Sequence, residues 1–272
     1  MLILAATPIG NLSDASPRLR ELLGSAEYLA AEDTRVVKQL ATALGIKLHA
    51  KLFSLHEHNE SERIGQLIEI AKTKDLVVVS DAGMPTVSDP GFQLVRLAAE
   101  HGVEITVVPG PSAVLAALAV SGLPTDRFTF EGFLPRKQGD RKRAFTELLT
   151  ERRTMIFFEA PHRILDSLED AASVFGSERR ASVSRELTKK FEHTERGSLL
   201  NLIAWAKTEP KGEMVLVIAG ADPEKADPES LAKLALEMAS QGVRLKEAAA
   251  ELAKAHSVSS SAIYDAALRL KA

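Results

Sequence analysis

Short apolar runs and amphipathic stretches take turns along the first half of the chain. Leu2–Ala6, Tyr28–Ala31, Lys51–Leu55, Leu76–Val79 and Val103–Val108 are too short for helices and read as buried strands. Helical patterns fill the gaps. Ser16 supplies an N-cap, Pro17 the first helical position, and Gly24 lies just past the end. A second helix runs to about Leu44 and stops at Gly45, Asn59 with Glu62 forms a capping box for a third, and apolar helices follow from Phe92 and from Ala113 to Val120. Alternation of strand and helix over residues 1–120 predicts a parallel sheet covered by helices on both faces.

Ser121-Gly122-Leu123-Pro124-Thr125-Asp126 reads as a linker, so residues 1–121 form a first domain. Beyond it, strands are expected at Phe128–Phe133, Thr154–Glu159, Arg180–Ser184, Phe191–His193 and Glu213–Ile218. Several connections are too short for parallel crossovers, so a mixed sheet is expected over residues 126–221. A second linker, Ala221 to Pro228, precedes helices at Glu229–Ser240, Leu245–His256 and Ser260–Leu270. The last two, with the turn at Ser257-Val258-Ser259, suggest a helix-turn-helix within a 228–272 module whose mixed charges favour packing over DNA reading.

The loops after the first-domain strands share one vocabulary of Gly, Pro, Ser/Thr and Asp: Thr7–Asn11, Glu32–Arg35, Asp81–Gly91 and Pro109–Ser112. Ligands of open α/β sheets sit beyond the carboxyl ends of the strands. The loop Ser80–Gly91 is about twice the usual βα connection, which makes it the focus of a ligand site. Backbone N–H groups at Gly83 and at the helix start after Gly110 are candidates to cradle an anion. Neither loop is a Walker A or G-x-G-x-x-G sequence, so ATP hydrolysis and dinucleotide binding lose support. His56-x-His58 lacks an evident third metal ligand, and no Ser-His-Asp set stands out. Glu159-Ala160-Pro161-His162-Arg163 follows its strand in a position to close over a cleft. Arg185-Glu186-Leu187-Thr188-Lys189-Lys190 does likewise, although ion pairing accounts for Arg185 and Glu186.

Composition narrows this further. The 272 residues are 45% hydrophobic and 26% charged, an ordinary globular balance. There is no cysteine, which removes disulfides and thiolate chemistry and fits a reducing compartment, with the cytoplasm as the expected location. The apolar start Met1–Ala6 is too short for a signal peptide, and no run approaches a membrane span. A net charge of −3 argues against nucleic-acid binding by the whole surface. Against it stands Pro135 to Arg143, where five of nine residues are basic: a candidate phosphate contact or a solvated loop.

Nine motifs in order, ATPIGNLSD, AAEDTR, LHEHNE, VSDAGMPTVSDPG, PGPSA, GLPTDRFTFEGFLPRK, FFEAPHR, SRELTK and GEMVLVIAG, span residues 6–220. Together they resemble the rRNA small-subunit methyltransferase I family of the tetrapyrrole-methylase superfamily. The resemblance implies an α/β, two-domain tetrapyrrole-methylase-like fold, with a parallel-sheet N-terminal domain, a mixed-sheet second domain and a small helical tail. It implies 2′-O-methylation of a cytidine ribose in 16S rRNA of the small ribosomal subunit, S-adenosylmethionine held between the domains, and a homodimer. Donor contacts carry over to Pro8, Ala82, Gly83, Met84, Val87, Ser112 and Ala113, with Phe158 and Leu187 from the second domain. Ala82-Gly83-Met84 stands where tetrapyrrole enzymes usually have Gly-Gly-Asp, and Pro8-Ile9-Gly10-Asn11 where they have Pro-Gly-Asp. Both departures favour the RNA branch over a tetrapyrrole substrate.

A ribose hydroxyl needs a base or a cation to become a nucleophile. Asp89 and Asp81 are the carboxylates best placed for that role, although Asp89 before Pro-Gly is also a helix-capping pattern. Arg136, Lys137, Arg141, Lys142 and Arg143 would hold RNA phosphates, with Arg163 adding a contact, and no metal is required. The competing readings keep the scaffold: a tetrapyrrole methyltransferase, or a non-catalytic RNA-binding protein of ribosome assembly.

Overall fold

The computed structural model describes residues 1–56, 59–221, 228–256 and 258–271. Five strands, β1 (Leu2–Ala5), β2 (Tyr28–Ala31), β3 (Lys51–Ser54), β4 (Leu76–Val79) and β5 (Ile105–Val108), form an all-parallel sheet in the order β3-β2-β4-β1-β5. The intervening helices are α1 (Pro17–Ser25), α2 (Thr34–Ala43), α3 (Glu60–Thr73) and α4 (Phe92–Glu100), with α5 (Ala113–Val120) after β5. Alternate strand residues serve opposite cores. Leu76 and Val78 pack with α3 and α4, while Val77 and Val79 pack with α1 and α2. That is why β4 is apolar throughout rather than alternating.

A second sheet, β6 (Phe128–Phe133), β7 (Thr154–Glu159), β8 (Arg180–Arg185), β9 (His193–Ser198) and β10 (Met214–Ile218), has the order β6-β7-β10-β8-β9. β6 and β7 are parallel, and the other pairs are antiparallel, so the sheet is mixed as expected. Helices α6 (Gln138–Glu147), α7 (Ile164–Phe175) and α8 (Leu199–Ala206) cover one face through Met155, Phe157, Met214, Leu216 and Ile218. The opposite face presents Ile156, Val215 and Val217 to Val114, Ala117 and Leu118 of α5 and to Ile9. α5 is apolar all round: Val114, Ala117 and Leu118 are buried between the two lobes, while Leu115 on its outer side is exposed.

Both sheets lie in one compact unit, Met1–Leu149 with Arg153–Ala219. A second unit, Thr150–Arg152 with Gly220–Ala272, contains α9 (Pro228–Ser240), α10 (Leu245–His256) and α11 (Ser260–Lys271). Those helices share a core of Leu231, Ala235, Ala248, Ala249 and Ile263. The expected linker falls largely on residues 222–227, and Ser257 of the expected turn also lies outside the described residues. No described helix is long and apolar enough to cross a membrane.

Two local expectations are corrected. Asn59 does not form a capping box: its Oδ1 accepts the N–H of His56 at 2.9 Å and its Nδ2 donates to the Ser54 carbonyl at 3.1 Å. The strand expected at Phe191–His193 begins at His193 instead, because residues 188–192 form the turn that returns from β8.

Ala117 is fully buried where α5 meets the second sheet. Ala117→Leu is therefore expected to overpack that junction and cost about 1–3 kcal/mol, read as a lowered midpoint in urea unfolding with an unchanged slope.

Candidate functional site

Three post-strand loops of the first lobe are fastened side by side. Thr7 and Gly83 form a two-way bridge: the Thr7 N–H donates to the Gly83 carbonyl at 2.9 Å, and the Gly83 N–H to the Thr7 carbonyl at 3.1 Å. The Thr7 hydroxyl also donates to the Ser80 carbonyl at 3.3 Å. Gly83 has φ +81, and a Cβ there would lie 3.3 Å from Ile9 and 3.6 Å from the Pro111 carbonyl. At Gly110 a Cβ would fall 2.8 Å from that of Ala6. These glycines let the loops touch. The Gly83 half of the expected anion cradle is corrected, since the Gly83 N–H is already committed to the Thr7 carbonyl.

The loop from Ser80 to Gly91 winds tightly. Gly83 and Gly91 are left-handed, and so are Thr86 at φ 75 and Ser88 at φ 61. A β-branched residue in that region is strained, and such strain concentrates at ligand sites. Gly91 is the N-cap of α4, whose open N–H groups at Gln93 and Leu94 donate to Glu60 Oε1 of α3 at 3.1 and 3.4 Å. Asp89 is thus not the cap of that helix.

The loops open onto a cleft of about 620 Å³, in the range of small-molecule sites. From the first lobe, Ala82, Gly83, Met84, Val87, Asp89, Ser112 and Ala113 line it; from the second come Phe158 and Leu187. Nine of the eleven residues expected at the catalytic and donor sites therefore line one cleft. Pro8 is absent from the lining, where its neighbour Ile9 takes the place. Asp81 is absent too, because its Oδ1 accepts the Asp33 N–H at 3.0 Å and ties the β4 loop to the β2 loop.

Several lining residues were not expected. Phe133 enters because a bulge between Phe130 and Phe133, with Gly132 at φ +72, turns the end of β6 inward. It meets Phe158 edge-on at 5.3 Å. Gly212, Glu213, Met214 and Val215 enter because β10 inserts between β7 and β8, and sequence order gives no sign of that. The motif residues Glu159, Ala160, Pro161 and Glu186 also line the cleft.

Among the described residues, the lining carries four carboxylates, Asp89, Glu159, Glu186 and Glu213, and no Lys, Arg or His. Two cations answer them from behind. Arg163 donates to Glu159 at 3.1 Å, and Lys189 lies 3.1 Å from Glu186 and 3.0 Å from Glu213. The wall therefore keeps an excess of negative charge. Burial, reinforced by the charge of Glu32, pushes the Asp89 carboxyl up to about 6, with the Ser80 hydroxyl opposing the shift.

Two of the expected phosphate-binding arginines are structural. Arg141 is 3% exposed and bonded through Nε and Nη2 to Asp170 at 2.8 and 2.6 Å. The Arg163 guanidinium bonds Glu159 and the carbonyls of Leu134 and Pro135. Both are spent on holding the β6–α6 connection, whereas Arg136, Lys137 and Arg143 are exposed and Lys142 is partly so. His58 of the His56-x-His58 pattern lies outside the described residues.

This arrangement defines a class. Residues 1–203 match the family model of the tetrapyrrole (corrin/porphyrin) methylases. The fold agrees: the crystal structure of the methyltransferase CobJ superposes with a TM-score of 0.60 at 20% identity, covering 81% of this chain and 94% of that one. A uroporphyrin-III C-methyltransferase from Thermus thermophilus, solved with S-adenosyl homocysteine, gives 0.54 at 18% identity, covering 80% and 96%. Sequence relatives are much closer. Ribosomal RNA small subunit methyltransferase I of Mycobacterium tuberculosis is 46% identical over 98% of this chain and 94% of its own length, and that of Escherichia coli O157:H7 is 41% identical with the same coverage. The chain belongs to the ribosomal RNA small subunit methyltransferase I family.

Two consequences can be measured. Arg141→Ala leaves buried Asp170 with Gln138 at 3.0 Å and Lys142 at 3.5 Å on its other oxygen and is expected to cost about 3 kcal/mol, whereas exposed Arg143→Ala should stay within about 0.5 kcal/mol of wild type; chemical denaturation separates them. Because the folded Asp89 pKa is raised from 3.8 to about 6, its ionised form disfavours folding. Wild-type stability is lost as pH rises through that window. Asp89→Asn should therefore raise the melting temperature of the ligand-free protein above pH 6, and the gain should vanish near pH 3.8.

Proposed function

We propose that the protein transfers the methyl group of S-adenosylmethionine to the ribose 2′-oxygen of a cytidine in 16S rRNA of the small ribosomal subunit. The observation that carries this reading is the cleft wall: largely apolar, acidic in excess, with one half-buried carboxylate at a raised pKa. A sulfonium donor is cationic, so a wall of that charge suits it. The same wall disfavours the tetrapyrrole reading, since a polycarboxylate ring would meet Asp89, Glu186 and Glu213.

When bound, the donor supplies an electrophilic methyl carbon and a thioether leaving group. Ala82, Gly83, Met84 and Val87 would hold it from the β4 loop, Ser112 and Ala113 from the start of α5, and Phe158 and Leu187 from the second lobe. Ile9 lines the cleft beside Pro8, which is not among the lining residues. The two lobes exclude water, which favours an in-line approach by the sugar oxygen. Asp89 would accept the hydroxyl proton as the O–C bond forms and the methyl C–S bond breaks, releasing the neutral thioether. A carboxylate with a pKa near 6 is ionised at neutral pH yet more basic than an ordinary aspartate. Asp81, bonded to the Asp33 N–H, positions the loop rather than taking the proton. Arg136, Lys137, Lys142 and Arg143 supply phosphate contacts beside the cleft, and Arg141 and Arg163 hold their segment in shape. The protein works in the cytoplasm as a homodimer; exposed Val107 on edge strand β5 and Leu115 on α5 support a pairing surface.

The deciding experiment incubates the protein and labelled donor with small ribosomal subunits and maps the label. Label on a cytidine 2′-oxygen is expected; label on a base or on protein would overturn the assignment. Calorimetry showing no donor binding would favour the non-catalytic alternative. Asp89→Asn should lower kcat by about 10²-fold or more while donor affinity stays within a few-fold. In the wild type, kcat/KM should rise with pH to about 6 and then level off. Replacing Arg136, Lys137 and Arg143 together should flatten the salt dependence of RNA binding.

A further inference from the structure

A second recess of about 390 Å³ lies on the second lobe, lined by Arg185, His193, Trp205, Glu209 and Lys211 among others. Its chemistry differs from that of the cleft. The rings of His193 and Trp205 lie nearly parallel, 28° apart with centroids at 6.3 Å. Trp205 packs partly into the second-lobe core, which fixes the plane of its ring. Arg185 Nη1 donates to the Lys211 carbonyl at 3.4 Å, which brings two cationic residues to one side of the recess. On the β8–β9 turn, Phe191 is 63% exposed with Lys190 Nζ 5.5 Å from its ring centre. Aromatic faces interleaved with cations are the makings of a single-strand platform, a pattern missing from the basic segment at residues 135–143.

Position gives the recess a partner. Arg185 directly precedes Glu186 and Leu187, and Lys211 directly precedes Gly212 and Glu213, all four of which line the cleft. We propose that this recess binds an unpaired nucleotide flanking the methylation target, with its base stacked on Trp205 and its phosphate held by Arg185 and Lys211. This rests on the reading above that the substrate is RNA. A duplex does not offer the face of a base, so the occupant must be single-stranded there. Glu209 would repel a phosphate but can accept from an exocyclic amine, as carboxylates do with cytosine. Glu195 is occupied 3.1 Å from His193 Nε2 and leaves the Arg185–Lys211 side to the phosphate.

Trp205 is the chain's single tryptophan, so its emission reports on the recess directly. The test titrates the full-length protein with a single-stranded pyrimidine RNA of about ten nucleotides, within the span of one such platform, following Trp emission and the anisotropy of the labelled RNA together. Quenching that saturates along the anisotropy curve is expected, and a duplex of the same sequence should not quench. Trp205→Ala should weaken binding about tenfold, with donor affinity unchanged as a check on folding, while Trp205→Phe keeps most of it. Arg185→Ala with Lys211→Ala should reduce the salt slope without touching the core. RNA binding with unaltered emission, or with unchanged affinity in Trp205→Ala, would overturn the proposal. Methyl transfer to small subunits, measured in parallel on the wild type, separates the two readings. Transfer without quenching removes only the recess, whereas absence of both transfer and donor binding removes the function proposed above.

Discussion

The architecture depends on one helix that belongs to one lobe and completes the core of the other. β7 and β10 are buried on both sides, but only one side is covered by the second lobe's own helices. The other side is covered by α5 and Ile9. Without that contact the second sheet would leave Ile156, Val215 and Val217 in water, and apolar burial is the main favourable term in folding. The contact also decides where the cleft can be. Val114, Leu187 and Val215 belong to this shared core and at the same time line the cleft, so the cavity is the place where inter-lobe packing ends.

Against that rigid junction, the β4 loop is held in a conformation its sequence alone disfavours. Two non-glycine residues, Thr86 and Ser88, sit in the left-handed region between Gly83 and Gly91. The surroundings impose this. The Thr7–Gly83 bridge fixes one end, and Glu60 bonded to the start of α4 fixes the other. On the second lobe the turn after β8 repeats the pattern, with Glu186 and Thr188 both left-handed and the Lys189 stem where a Cβ on Gly10 would fall. Strain on both walls of one cleft is consistent with loops shaped for a ligand rather than for stability.

Much of this was legible from the chain. The five first-lobe strands and their helices follow from short apolar runs punctuated by glycine, and Ser16 caps α1 as its sequence suggests, accepting the Leu19 N–H at 3.1 Å. The β4 loop declared itself by length. What stayed hidden depends on contacts distant in sequence. Nothing in Pro135–Arg143 distinguishes Arg141 from Arg143, yet one is buried against Asp170, 29 residues away, and the other is exposed. Asp81 and Asp89 likewise read alike until the Asp33 N–H claims one of them. The cleft residues on β10 were invisible because strand insertion order is a tertiary fact.

The distribution of charge then ties fold to chemistry. The chain is nearly neutral overall, yet its lining carboxylates turn inward while the exposed cations of α6 and of the Trp205 recess lie outside. A cationic donor and a polyanionic substrate need opposite surfaces, and a single mixed-charge cavity would serve neither. Separating them leaves Asp89 at the boundary, buried enough to disfavour its own charge and close enough to Glu32 to be pushed further. That cost falls on the ligand-free protein, and the same desolvation makes the carboxylate a better base. The geometry that weakens the folded state at neutral pH is therefore the geometry that suits the proton transfer proposed for Asp89.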